Sequence, residues 1–280
     1  MQQLQRWLLL TLAPIALTLG CASAQATTLI DRGPGPDSFS LTPEANSPPE
    51  FGRCIATLGG AYTNAACTST VGESTTSYEW YAAYGSAAPM EKQGFTSVLK
   101  EGSVATLETV GKNVLNCEGE SSTGEITGNK MVGNVVTTFT GCSDFGASCH
   151  STGAAEGTIV MNALEGVLGV EELAAEPINY KIAEKLYPPG HTGPIATFSC
   201  AGMSMAVTGA MISPVSSNAM KATATVKTKQ LKGKQKPENF VGETPEPLMA
   251  RLGEGTPEQS GELFTTNQTN AEKVEINSVV

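Results

Sequence analysis

The chain has 280 residues, of which 17 are Lys or Arg, 27 are Asp or Glu and 2 are His, a formal net charge of −10. A charge of that sign repels nucleic acid and anionic membrane surfaces, and so argues against both as partners. Charged residues make up 16% of the chain against a usual quarter, with Ser, Thr, Gly and Asn filling their place, the balance of an extracellular β protein.

Arg6 supplies a short positive region, Trp7 to Leu19 an apolar one, and Ala22-Ser-Ala24 or Ala24-Gln-Ala26 a small-residue cleavage site. Residues 1–26 are therefore expected to be a signal peptide, and the protein to be exported, secreted or held in the cell envelope. The apolar run is too short, and too broken by Pro14, for a spanning helix, and nothing after it approaches the ~20 apolar residues a transmembrane helix needs. Gly20-Cys21 partly resembles the bacterial lipoprotein signal, but Thr18 and Leu19 depart from it, so plain cleavage is preferred over a lipid anchor at Cys21. Loss of the leader moves the balance to 16 minus 27, or −11, and leaves Cys54, Cys67, Cys117, Cys142, Cys149 and Cys200. An even number in an exported chain points to three disulfides. The nearest pairs have twelve and six residues between them, not the C-x2-C spacing of a zinc site, and no metal is expected.

Residues 27–50 carry Gly33-Pro-Gly-Pro36, Pro43 and Pro48-Pro49 without apolar periodicity, and read as a flexible Pro/Gly-rich segment. The remaining residues, 51–280, read as one β-rich domain. In its first part Cys54 and Cys67 enclose a small loop and are expected to pair. Tyr78-Glu-Trp80-Tyr81, with Tyr84, then gathers four aromatics in seven residues. Such a group could stack on sugar rings, making a glycan a candidate partner; since Tyr78 and Trp80 share one face by alternation, packing at a sheet edge is the reading preferred.

Between Ala105 and Pro214, seven short β-branched stretches are separated mostly by Gly, Asn, Ser or Pro: 113–117, 124–127, 132–140, 158–161, 178–182, 195–200 and 203–212. Strands of this length and spacing predict a mainly β fold, an antiparallel β-sandwich or barrel stapled by disulfides. In a three-strand meander Cys117 and Cys142 would arrive at the same edge, which suggests Cys117–Cys142 with Cys149–Cys200. Joining Cys142 to Cys149 and Cys117 to Cys200 is the competing scheme. Chain entropy separates the two loops by only about 1 kcal/mol, which leaves the pairing open.

After Pro214, Met220 to Val226 still alternates, and Lys227, Lys229, Lys232, Lys234 and Lys236 form a basic ribbon. It could dock an anionic partner such as a cell-wall polymer, although lysines on an edge strand also serve simply to discourage aggregation, and that plainer reading is preferred. The ribbon is nevertheless the stronger of the two binding candidates. Prolines 237, 245, 247 and 257 among Gly and Glu predict an extended acidic loop near 232–262, and Lys273 to Asn277 a last strand.

Phe51-Gly-Arg-Cys54, Tyr78-Glu-Trp80, Gly141-Cys142, Cys149-His-Ser151 and Phe198-Ser-Cys200 together resemble the pattern of a family of uncharacterised exported bacterial proteins. The likeness spans nearly the whole mature chain. Its signatures are cysteines, glycines and aromatics, which fix a fold, and the family has no assigned activity, so the resemblance implies no functional residue.

Catalytic constellations are scarce. Gly202-Met-Ser204-Met-Ala206 approximates a serine-hydrolase elbow, but an alternating strand follows where the elbow needs a helix. Ser204 with His150 or His191 as base and Asp144 as orienter is the alternative reading, an extracellular serine hydrolase. No phosphate-cradling or dinucleotide motif is present, no cofactor is indicated, and no C-x-x-C pair suggests redox work. The reading taken is an exported, disulfide-stabilised, non-enzymatic binding or structural protein of the cell surface or extracellular space.

Overall fold

The computed structural model describes residues 49–70, 77–82, 93–172, 181–215 and 219–277, all within the unit Ser40–Val280. The expected signal peptide, Cys21, all but the end of segment 27–50, Tyr84 and residues 178–180 lie outside them. In chain order the strands are β1 (Glu50–Thr57), β2 (Ser77–Ala82), β3 (Gln93–Leu99), β4 (Ala105–Thr109), β5 (Val114–Cys117), β6 (Gly119–Ile126) and β7 (Met131–Thr140). There follow β8 (Ser143–Asp144), β9 (Ala147–His150), β10 (Ile159–Val160), β11 (Leu164–Glu172), β12 (Lys181–Tyr187), β13 (Ala196–Cys200) and β14 (Met203–Thr208). The last seven are β15 (Met211–Pro214), β16 (Lys221–Lys227), β17 (Gln230–Leu231), β18 (Lys234–Gln235), β19 (Met249–Leu252), β20 (Glu258–Leu263) and β21 (Thr265–Asn277). Among the described residues no helix is long and apolar enough to cross a membrane.

These strands make two large antiparallel layers. Eight of them close a barrel in the order β13-β14-β19-β20-β4-β5-β8-β9. Eleven others form a sheet in the order β15-β12-β11-β7-β6-β3-β21-β1-β2, with β10 also paired to β7 and β16 to β21, while β17 and β18 make a two-stranded sheet of their own. A bridge between Val215 and Val226 brings the β15 edge back to β16, so this sheet is rolled almost into a second barrel. Alternation explains the rolling: β3 buries Gln93, Phe95 and Ser97 while Thr96 and Val98 face out, and β16 exposes Lys221, Thr223, Thr225 and Lys227. Phe95, Ile126, Val135, Leu164 and Leu168 pack with Leu115, Phe198, Met205 and Val207 into one continuous apolar cluster.

Tight turns set the register of the hairpins. Phe145-Gly146, Ala201-Gly202 and Lys232-Gly233 each put two residues at positive φ between paired strands, the two-residue turn whose twist suits an antiparallel ribbon. Glycine at the second position takes that conformation without steric cost.

The chain does not finish one layer before starting the other. After β4 and β5 in the barrel it lays β6 and β7 in the rolled sheet, returns for β8 and β9, and crosses again for β10 to β12. It continues with β13 and β14 in the barrel, β15 and β16 in the sheet, β19 and β20 in the barrel, and ends on β21 in the sheet.

The disulfides are Cys54–Cys67, Cys117–Cys142 and Cys149–Cys200. The second does not sit on a meander, since β5 pairs with β4 and β8 while β6 and β7 belong to the other layer. It forms because Cys117 is the last barrel residue before one crossing and Cys142 follows the return crossing. Glu118 N donates to Thr140 O (2.9 Å) and holds the two crossings side by side. Cys149 and Cys200 face each other directly across β9 and β13. The segment near 232–262 is not all loop, because β18, β19 and β20 lie within it. Its polar sequence hides these strands: Ser260 and Glu262 are buried, yet neither is a residue that marks a core.

Replacing both Cys117 and Cys142 by Ala is expected to cost about 3.5 kcal/mol, the chain-entropy value for the loop they close. Urea unfolding of the oxidised proteins would measure it, and a loss below about 1 kcal/mol would show that the crossings hold without the bridge.

Candidate functional site

The lysine ribbon resolves into a built element. Lys227 ends β16 opposite Thr265, and β17 and β18 then form a small hairpin in which Gln230 faces Gln235 and Leu231 faces Lys234. Lys236 N donates to Lys229 O (2.9 Å), extending the pairing by one step. Opposed residues share a face, so Lys229, Lys236, Leu231 and Lys234 lie on one side, with Lys232 at the tip. All of these and Lys227 are exposed.

The other side carries the two glutamines, and they anchor it. Gln235 is 5% exposed; its Nε2 donates to Ala210 O (3.1 Å), and its Oε1 accepts from Ile212 N (2.8 Å). Gln230 Nε2 donates to Glu108 Oε2 (2.7 Å), and its Oε1 accepts from Gly233 N (2.9 Å). Hydrogen bonds from Lys112 and Gln230 hold the Glu108 carboxyl below its ordinary range, so it stays an acceptor. Close approach completes the seat: a Cβ on Gly233 would run into the Thr109 backbone, and one on Gly261 into the Lys234–Gln235 backbone. The hairpin thus straps β20 and β4 of the barrel to the start of β15. Its outer face presents an ordered cationic row on an anionic protein, and among the described residues no ion pair neutralises any of the five lysines. Such a row suits a ligand with repeated negative charges.

The aromatic candidates are arranged differently. Tyr78 and Trp80 share one face of β2 and Tyr81 lies on the other, as alternation requires. Trp80 lies over Gly52, where any side chain would collide with its ring, and its Nε1 donates to Glu275 Oε2 (3.1 Å). The three rings therefore do not make one platform, and Trp80 is used in joining β2 to β1 and β21.

The serine-hydrolase candidates are not assembled. Ser204 is exposed on β14 opposite Ser199, and Ser199 is also opposite His150, which places these three in a row across the barrel wall. No hydrogen bond joins Ser204 to His150 or His191 among the described residues. His150 Nδ1 lies 3.3 Å from Glu156 Oε2 without hydrogen-bond alignment. Asp144 registers with Leu115, a buried core residue, and one of its carboxyl oxygens is buried with no partner, away from the row. His191 stacks on Tyr187 (3.9 Å between ring centres) and pairs through Nδ1 with Glu246 (2.9 Å).

Sequence reasoning missed the buried acids. Glu120 is 7% exposed; Ser97 and Ser122 donate to its Oε1 (3.2 and 2.8 Å), while Oε2 is buried without a partner. Burial raises its carboxyl pKa, and the two serine hydrogen bonds oppose the rise. Burial alone pushes Glu184 up to about 7 and Glu262 up to about 8. Among the described residues no group of His, Cys, Asp or Glu is placed to hold a metal ion. No family model, curated protein or solved structure matches this chain.

A carboxyl whose pKa is raised on folding binds more protons in the folded than in the unfolded state, so its contribution is full below about 4.5 and is lost as the pH climbs through the folded value. For Glu262 the window runs from about 4.5 to about 8. The melting temperature of the wild type is expected to fall by several degrees between pH 5 and pH 9, and that of Glu262→Gln to fall distinctly less. Scanning calorimetry at pH 5, 7 and 9 checks this; parallel curves for the two proteins would refute it.

Proposed function

We propose that the protein is an exported, disulfide-stapled, non-enzymatic binding or structural component of the cell surface or extracellular space, and that its lysine hairpin docks an anionic wall-type polymer. The observation that carries this reading is the two-sided hairpin: glutamines and glycines fix its inner face, while Lys229, Lys232, Lys234 and Lys236 share the outer face and tip, with Lys227 beside them. Anchoring reduces the ordering that binding requires, and repeated cations favour a polyanion over a single charged group. Three disulfides among the six cysteines support an oxidising compartment. The apolar leader at residues 1–26 and the cysteine and aromatic pattern support membership of the exported bacterial family that the chain resembles.

The expected result is retention on an immobilised anionic glycopolymer that weakens as salt rises, with at least a tenfold drop in affinity, order of magnitude, when the five lysines become glutamine. Unchanged retention of the five-fold variant would remove the hairpin as the docking element. Non-reducing mass spectrometry of the native protein tests export. A chain starting at Gln25 or Thr27 with no free thiol is expected, and an intact leader or free thiols would overturn that part.

A further inference from the structure

A cavity of about 60 Å³ lies where the barrel meets the rolled sheet. Leu107, Leu115, Phe139, Phe198, Val207 and Phe264 are among the apolar residues that line it. Thr106 also borders it but directs its hydroxyl to Asn116 Oδ1 (2.9 Å). The exception is Glu262, which lines the same cavity, is 8% exposed, and makes no hydrogen bond or ion pair among the described residues. Charged neighbours on the packed strands, Glu108 on β4, Glu258 on β20 itself, Arg251 on β19 and Lys234 on β18, give it no partner either.

A buried carboxyl left without a partner costs free energy, and one that faces a cavity is completed by whatever fills that cavity. Three kinds of head group can be weighed. A carboxylate ligand would bring a second negative group against the acid. An alcohol would satisfy one oxygen and leave the second short. An ammonium group offers three N–H donors and the charge that lets the acid ionise, and the aromatic walls add to its case, since ring faces attract alkylammonium ions. Phe139 and Phe264 meet edge to face, 6.0 Å between centres, and Phe198 lies on the barrel side.

We propose that this cavity binds the amino end of an aliphatic primary amine, with the ammonium group against the Glu262 carboxylate and the first carbons against Phe139, Phe198 and Phe264. Proton balance is simple: the neutral acid and the ammonium ion become an ion pair and one proton leaves to solvent. A volume near that of two waters admits the head group and a carbon or two. The rest of the chain leaves past Leu107, Phe139 and Phe264, which are only partly buried. The proposal does not rest on the lysine hairpin, although the hairpin backbone packs on Gly261 beside Glu262.

Titration calorimetry of the full chain with n-hexylamine, hexan-1-ol and hexanoate tests this, run at pH 6 and 7 in two buffers of different ionisation enthalpy. The amine is expected to bind best, to release close to one proton per site at pH 7, and to gain about tenfold in affinity from pH 6 to pH 7. Glu262→Gln, nearly isosteric and uncharged, should lose at least about tenfold in amine affinity, and Leu107→Trp, which crowds the mouth, should lose binding as well. Circular dichroism confirms that each variant is folded. Equal binding of hexan-1-ol, amine binding without proton release, or no amine binding by the wild type would each overturn the proposal; the proton release is read on the wild type and so does not depend on any variant folding.

Discussion

The Cys117–Cys142 bridge fixes the place where the chain first leaves the barrel and the place where it comes back. Two backbone crossings that lie side by side must keep their spacing if the strands on either side are to hold register, and here a covalent link and the Glu118–Thr140 hydrogen bond do so together. Cys142 also accepts through its carbonyl from Cys149 N (2.9 Å), which ties the first bridge to the second. Around this knot both layers are pinned. The β8–β9 hairpin, whose first strand is only two residues long, pairs with two residues of β5 on one side and two of β13 on the other, and the disulfides at Cys142 and Cys149 add a covalent hold at each side.

That rigidity lets a short hairpin at the surface act as a defined element. An isolated two-stranded hairpin is at best marginally stable in water. Here Gln235 is fixed to the backbone around β15, and β15 is held in the rolled sheet by β12. The lysines on the far side inherit this order. Net charge and local charge then part company: the molecule as a whole is anionic, while the outer face and tip of the hairpin carry Lys229, Lys232, Lys234 and Lys236 and no acid.

Much of the local structure was legible. Val132–Thr140 and Met203–Ile212 show β-branched alternation and form β7, β14 and β15, and the Cys54–Cys67 pair follows from a short enclosed loop. Partition between layers was not legible, because strands β5 and β6, separated by Glu118 alone, belong to different layers, and nothing in the composition of a β-strand says which neighbour it will take. The Cys117–Cys142 pairing was suggested by a meander that does not exist, yet it holds because a crossing and its return bring two strand ends together as a meander would. Glu262 was invisible for a related reason. It sits in Gln259-Ser-Gly-Glu262, polar enough to read as loop, and only its pairing with Leu107 across β20 and β4 turns it toward the interior. The lysines were legible as a ribbon, but the glutamine clamp behind them depends on contacts with β4 and β15, far away in sequence.

The alternation of the chain between its two layers bears on how the molecule can form. Barrel strands are drawn from Ala105 to Leu263 and sheet strands from as far apart as Glu50 and Asn277, so the two sets are interleaved along the polypeptide. No continuous fragment holds all of one layer without strands of the other, and most neighbours across a ladder are distant in sequence. Chains with so many remote pairings fold slowly, since loop closure is costly before the contacts that reward it are made. Neither layer can be inherited, excised or repaired as a module, and a nascent chain cannot close the barrel until its last strands have been synthesised. Such a protein gains most from a folding compartment where it arrives whole and oxidation can fix each crossing as it forms.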